Sequence, residues 1–255
     1  MKIGKIEKYI HDVIAKDGAI FLSLIDPDKQ SADESANIAK ISEENGADII
    51  LVGGSIGAQG TVLDETLKTI KDKVSIPIVL FPGNIGTLSP FADAVYFMHL
   101  MNSKEVYWST TAQIQAAPLV KKMNIEPIPT AYIVLEPGMA VGWISNANLM
   151  PRNRPDLAAA TAMAAEFLGA RLLVTDSGSG APDPAPAKLI KAVRAATTIP
   201  YFYGGGVRTA EQAYEIIKSG ADGIQIGTAF EIGNDTEAKI KKMGEAIKKA
   251  GSEKV

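Results

Sequence analysis

Short apolar runs alternate with helical patterns along the whole 255-residue chain, and that alternation leaves few folds open. Parallel strands need a long crossover, usually a helix, so strand–helix alternation means a parallel sheet. The runs fall at 19–26 (AIFLSLID), 47–55 (ADIILVGGS), 77–83 (PIVLFPG), 94–100 (AVYFMHL), within 126–137 (chiefly AYIVLE), 171–176 (RLLVTD), 199–203 (IPYFY) and 222–226 (DGIQI). Eight such units in a chain of this length predict an α/β fold, a single (β/α)8 TIM barrel spanning residues 1–255. Helices are predicted at 64–73, 109–123, 155–169, 184–196, 209–218 and 236–249, with Pro118 kinking or breaking its helix and Gly169 closing another. Ser31 and Glu34 form a capping box. The connection 84–93 contains Gly86 and Pro90 and is too short for a full helix, so the helix after strand three is predicted to be missing or replaced by a loop. Residues 138–154 are rich in turn formers and lack periodicity; a structured functional loop is expected there.

Composition excludes several classes of function. The net charge of -3 leaves no excess of Lys or Arg to neutralise a nucleic-acid backbone. The chain has no cysteine, which removes disulfides, thiolate chemistry and cysteine metal sites. Its first residues form an amphipathic pattern with charges throughout, unlike a signal peptide, and no apolar run reaches the length of a transmembrane helix. A cytoplasmic protein is expected. Any lipid chemistry would draw its apolar substrate into the protein.

In such a barrel the chemistry belongs at the C-terminal strand ends. Strand seven stops at Gly204, Gly205 and Gly206, and strand eight at Gly227 and Thr228. Glycines after buried strands let several backbone N–H groups point at one anion, so these turns read as a phosphate cup. The turn DSGSGAP after strand six supplies a second wall, with Asp176 gripping ligand hydroxyls or taking a proton. A plain capping turn is the alternative; three glycine-rich turns side by side favour a ligand. Asp26 ends an otherwise apolar strand, where an unpaired carboxylate is costly. With Ser55 it makes a sparse Mg²⁺ set, normal where substrate phosphates supply further oxygens. Asp26 equally reads as a cap for the turn before Pro27. Phe81, Tyr96, Phe97, Met98 and Met101 cluster on strands three and four. Their inward positions read as core, and the missing helix would leave an apolar gap able to admit a long hydrocarbon. Trp108 and Trp143 border that gap or a subunit interface. His11 reads as surface and His99 as an ordinary satisfied histidine; two distant histidines make no zinc site.

The motifs LIDPDK (24–29), VGGS (52–55), FPGN (81–84), ADAVYFMHLMNS (92–103), AYIVLEPGMAVGW (131–143), MPRNRP (150–155), GSGA (178–181), GGGVR (204–208) and IGT (226–228) stand in this order. Together they resemble the geranylgeranylglyceryl phosphate synthases, the prenyltransferases of archaeal ether-lipid synthesis, over nearly the whole chain. The long form looks like the larger of that family's subgroups, which implies a homo-oligomer, dimer or hexamer. The resemblance implies a barrel lacking one outer helix, sn-glycerol 1-phosphate in the cup, and a prenyl diphosphate across the mouth with its chain in the gap. It implies Mg²⁺ on Asp26 and Ser55. It implies a glycerol phosphate site on Val174, Thr175, Asp176, Ser177, Gly178, Ser179 and Gly180, with Gly205, Gly206, Gly227 and Thr228. The implied reaction is transfer of geranylgeranyl to the C3 hydroxyl, with release of diphosphate and Asp176 as the catalytic carboxylate. A longer donor such as heptaprenyl diphosphate, a phosphosugar isomerase or aldolase, and a non-catalytic phosphate-binding barrel stand as alternatives. The family usually reads Tyr-Leu-Glu where this chain has Val174, Thr175 and Asp176, and Gly-Asn where it has Gly227 and Thr228. Shortening Glu to Asp withdraws the carboxylate by about 1 Å, enough to matter for positioning. The acceptor site therefore departs from the family where glycerol selectivity should lie.

Overall fold

Apolar residues on both faces of each strand require cover on both sides, and a closed barrel ringed by helices provides it. The computed structural model describes residues 2–231 and 235–255, with Thr228 and Glu231 described by their backbone. Eight parallel strands close in sequence order: β1 (Ile20–Ile25), β2 (Ile49–Gly54), β3 (Ile78–Pro82), β4 (Ala94–Leu100), β5 (Glu126–Val134), β6 (Leu172–Asp176), β7 (Tyr201–Gly204) and β8 (Gly223–Ile226). The helices are α1 (Lys5–Asp17), α2 (Ala32–Glu44), α3 (Gly60–Lys71), α4 (Ala112–Met123), α5 (Met139–Ile144), α6 (Pro155–Phe167), α7 (Ala187–Ala196), α8 (Ala210–Lys218), α9 (Thr228–Glu231) and α10 (Thr236–Ser252). The predicted barrel is the observed one.

Strand alternation divides the core. Inward residues such as Leu22, Leu51, Tyr96, Tyr132, Val174 and Phe202 fill the barrel. Outward residues pack on helices: Ile50, Val52 and Leu80 against α2 and α3, and Leu173, Tyr201 and Ile224 against α6, α7, α8 and α10. α1 lies across the N-terminal end, where Ile6 and Ile10 join the inner cluster. The Glu126 carboxylate accepts from the Ile6 and Glu7 N–H groups, each at 2.8 Å, and so caps this helix from the start of β5.

No helix separates β3 from β4, as the breakers at Gly86 and Pro90 predict. The capping box at Ser31 is present, and Thr209 and Gln212 form another at α8. α6 ends two residues before its predicted glycine, with Leu168 as cap and Gly169 following at φ +95°. α4 runs on through Pro118 after a π-helical turn at Tyr107–Thr111. Pro118 is exposed, so water can satisfy the carbonyl that its ring leaves without a donor. The region expected to be irregular holds α5, six residues long and too short to show a period.

One polar cluster fastens α10 to the N-terminal side of the sheet. Lys248 Nζ lies 2.7 and 2.8 Å from the Asp48 oxygens and 3.0 Å from Asp17 Oδ2. Asp48 also accepts from the Phe21 N–H at 2.7 Å. Burial raises the pKa of Asp48, and Lys248 opposes that shift. Lys248→Ala leaves this largely buried carboxylate without its cation. Between the exposed and fully buried limits, the expected cost is about 2 kcal/mol. Thermal denaturation should show the melting temperature falling by roughly 5 °C.

Candidate active site

In a closed parallel barrel every strand delivers its last residue to the same rim. That rim holds a cavity of about 150 Å³. On one side Asp26, Gly54 and Ser55, at the ends of β1 and β2, line it. On the other side stand Asp176, Ser179 and Gly180 from the end of β6 and the turn after it. Gly205, Gly206 and Gly227 complete that second wall. Among the described residues no lysine or arginine lines the cavity, so its polar character comes from backbone, hydroxyls, the Gln225 carboxamide and two carboxylates.

Asp176 is nearly buried, and the donors around it explain how a carboxylate can end this strand. The Gly178 N–H donates to Oδ1 at 2.6 Å, and Gln225 Nε2 donates to Oδ2 at 3.1 Å. The Tyr132 hydroxyl is a third partner. Burial raises the Asp176 pKa, and these three donors oppose the rise. Gly204 makes the arrangement possible. Asp176, Gly204 and Gln225 stand in register across β6, β7 and β8. A Cβ on Gly204 would lie 2.6 Å from Asp176 Oδ2 and 2.8 Å from Gln225 Nε2. Carboxylate and amide thus meet across the strand between them because its residue has no side chain.

The turns after β6 and β7 are held from outside. Arg152, in the loop before α6, donates to the Asp183 and Pro184 carbonyls at 3.1 and 2.5 Å. Arg208 donates to the Pro182 and Gly180 carbonyls. Gly205, at φ +88°, packs against Gly178 so closely that a Cβ would meet the Gly178 N at 2.8 Å. Both guanidinium groups therefore shape the cup by gripping its outer carbonyls.

Asp26 is 8% exposed and ion-paired with Lys29. Burial raises its pKa, and Lys29 opposes the shift. Asp28 approaches the same place: a Cβ on Gly54 would lie 3.1 Å from Asp28 Oδ1 and 3.7 Å from Asp26 Oδ1. A second, apolar pocket opens where the helix after β3 is absent. Pro82, Met98, Leu100 and Trp108 line both spaces, so the rim cavity and the gap adjoin at these side chains.

The residues singled out from the sequence do not all face the cavity. Val174 is packed inside the barrel beside Tyr132. Thr175 and Ser177 are buried with their hydroxyls bonded to Tyr201 and Tyr203, at 2.7 and 3.0 Å. The period-two alternation of β6 sends Val174 inward below the rim and Thr175 outward, so their side chains supply packing in place of the ligand contacts expected of them. Gly178 contributes its N–H to Asp176. Thr228 opens α9, and its side chain lies outside the described part of the structure. His99 lies in an outer crevice beside Gln113 and Ala165, away from the rim. Trp143 is 86% exposed, whereas Trp108 borders the gap. Tyr132 and Gln225 escaped the sequence reading. The single signal for Gln225 was a polar residue inside the apolar run GIQI.

The PcrB family matches this chain over residues 11–247. The chain belongs to that family. Relatives of this PcrB-family chain include the geranylgeranylglyceryl phosphate synthase of Pyrococcus horikoshii, 48% identical over 97% of this chain and 97% of its own. That of Methanosarcina acetivorans is 44% identical over 96% of this chain and 99% of its own. Among solved structures, (S)-3-O-geranylgeranylglyceryl phosphate synthase from Thermoplasma acidophilum, in complex with substrate sn-glycerol-1-phosphate, superposes with a TM-score of 0.90. It is 36% identical, covering 94% of this chain and 98% of that one. The resemblance read from the motifs is borne out.

Proposed function

We propose that this PcrB-family chain is a prenyltransferase that joins the geranylgeranyl group of its diphosphate to the C3 hydroxyl of sn-glycerol 1-phosphate. The product carries the first ether bond of an archaeal-type membrane lipid. The observation that carries this reading is the two-sided cavity with an apolar gap beside it, the two sharing Pro82, Met98, Leu100 and Trp108 as lining. One wall suits a small phosphorylated alcohol, the other a diphosphate, and the gap a hydrocarbon chain. The substrate complex of the Thermoplasma acidophilum relative supports the choice of acceptor.

The cup holds the acceptor's phosphate through backbone N–H groups around Ser179, Gly205, Gly206 and Gly227 and turns the C3 hydroxyl toward the donor. Asp176 takes the hydroxyl proton as the oxygen attacks. The new C–O bond forms at the allylic carbon while the carbon–diphosphate bond breaks, and its electron pair leaves with the diphosphate. Asp26 and Ser55 fit Mg²⁺ as a sparse oxygen set at one wall of the cavity, with Asp28 close by; among the described residues no three metal-binding side chains gather into a full cage. Bound there, the ion would neutralise charge developing on the leaving diphosphate. The trough at Met98, Leu100 and Trp108 excludes water from the reacting carbon. A homo-oligomer is part of this reading; exposed Ile114, Phe167 and Leu168, at 67, 80 and 75%, support it as a surface that another copy would cover. So is a cytoplasmic location, on composition alone. Among the described residues no helix is long and apolar enough to cross a membrane.

The test is an assay with prenyl diphosphates of several lengths, with glycerol 1-phosphate or 3-phosphate, with and without Mg²⁺. Geranylgeranyl transfer to the 1-phosphate, dependent on Mg²⁺, is the expected result. Preference for heptaprenyl diphosphate would change the donor, and no product with any combination would overturn the reading.

A further inference from the structure

Gln225 is 3% exposed and lines the rim cavity, and half of its carboxamide is spent. Its Nε2 donates to Asp176, so the amide cannot rotate without turning its oxygen toward a carboxylate. Its Oε1 is buried and has no hydrogen-bond partner among the described residues. A buried amide oxygen left unmet costs stability, and a fold that keeps one beside its ligand cavity has an acceptor in reserve. Asp176, whose Oδ2 lies 3.1 Å from the nitrogen of the same amide, is a second acceptor beside it. Two acceptors side by side match a vicinal diol, whose adjacent hydroxyls each offer one proton.

We propose that Gln225 is a specificity-determining residue that accepts a hydrogen bond from the acceptor's C2 hydroxyl while Asp176 takes the C3 hydroxyl. This rests on the glycerol phosphate reading above. Gln225 lies on β8, separated only by β7 from the β6 segment that the family resemblance marks as the glycerol phosphate site. The pairing assigns a reason to the altered sequence of β6. With Val174 turned into the core and Asp176 shorter than glutamate, the amide from β8 spans the distance and completes the polar floor. The chemical consequence is selection for a 1,2-diol: an acceptor with a primary hydroxyl but no neighbour leaves Oε1 unmet.

The experiment compares sn-glycerol 1-phosphate with 3-hydroxypropyl phosphate, which lacks the C2 hydroxyl, in the wild type and in Gln225→Met. The wild type is expected to favour the diol in kcat/KM by about 10–100-fold. In Gln225→Met both acceptors lose what the hydrogen bond to Asp176 contributes, the diol's kcat/KM falls further by a factor similar to the wild-type preference, and the ratio collapses toward one. An equal loss on both acceptors would make Gln225 a support for Asp176 only and overturn the proposal. Should the variant fail to fold, the wild-type ratio decides: a value near one also overturns it. A wild type inactive on both acceptors but active on another substrate would sink the function reading itself, and this proposal with it.

Discussion

Asp176→Asn should lower kcat by about 10²–10⁴-fold, the range for removing a positioned general base. The side chain keeps its size, so the fold should survive. Its function does not, because three donors converge on the carboxylate and an amide must turn its own NH₂ toward one of them. The pH profile gives a second readout. Burial holds the Asp176 pKa above the ordinary carboxylate range. A general base works only when ionised, so kcat/KM falls as pH drops through that raised value. The acid limb should therefore begin at a higher pH than an exposed aspartate would produce, and Asp176→Asn should abolish it. Steady-state rates across the acid range check both points; a variant with wild-type kcat would remove Asp176 from the reaction.

The second large effect is expected at the opposite wall. Asp26→Ala should cut turnover by roughly 10³-fold, the scale of losing charge stabilisation at a leaving group. The response to added Mg²⁺ should vanish as well. Glycerol 1-phosphate binding, followed by calorimetry without donor, should stay close to wild type, because the cup stands on other strands. The substitution also leaves Lys29 without this carboxylate. A lysine beside a diphosphate offers some compensating charge, so the lost Mg²⁺ response is the sharper readout. Near-normal turnover that still responds to Mg²⁺ would sink the Asp26 assignment.

The fold was legible because its signals are local and repeated. Eight apolar runs, the breakers at Gly86 and Pro90, and the capping box at Ser31 each state a backbone preference that the barrel does not override. The rim was only partly legible. Gly205, Gly206 and Asp176 announce themselves as turn glycines and a carboxylate at a strand end. Val174 and Thr175 came in with the segment that the family resemblance marks, although successive residues of a strand point to opposite sides. Tyr132 and Gln225 were hidden for the complementary reason. Each joins Asp176 through strand register, a relation between distant segments, and Gln225 reaches it only because Gly204 is bare.

The two guanidinium clamps suggest how such an enzyme can diversify. Arg152 and Arg208 bind the loops after β5 and β7 to the turn after β6, so one half of the rim is a single mechanical unit. Asp26 and Ser55 stand on β1 and β2, and the apolar gap lies along β3 and β4. The halves share a cavity but few strands. Changes at separated sites combine nearly additively, so donor length can drift through Met98 or Trp108 while the choice of head group stays fixed. A lineage could retune its membranes to a new thickness by altering one arc of the barrel and leaving the other arc untouched.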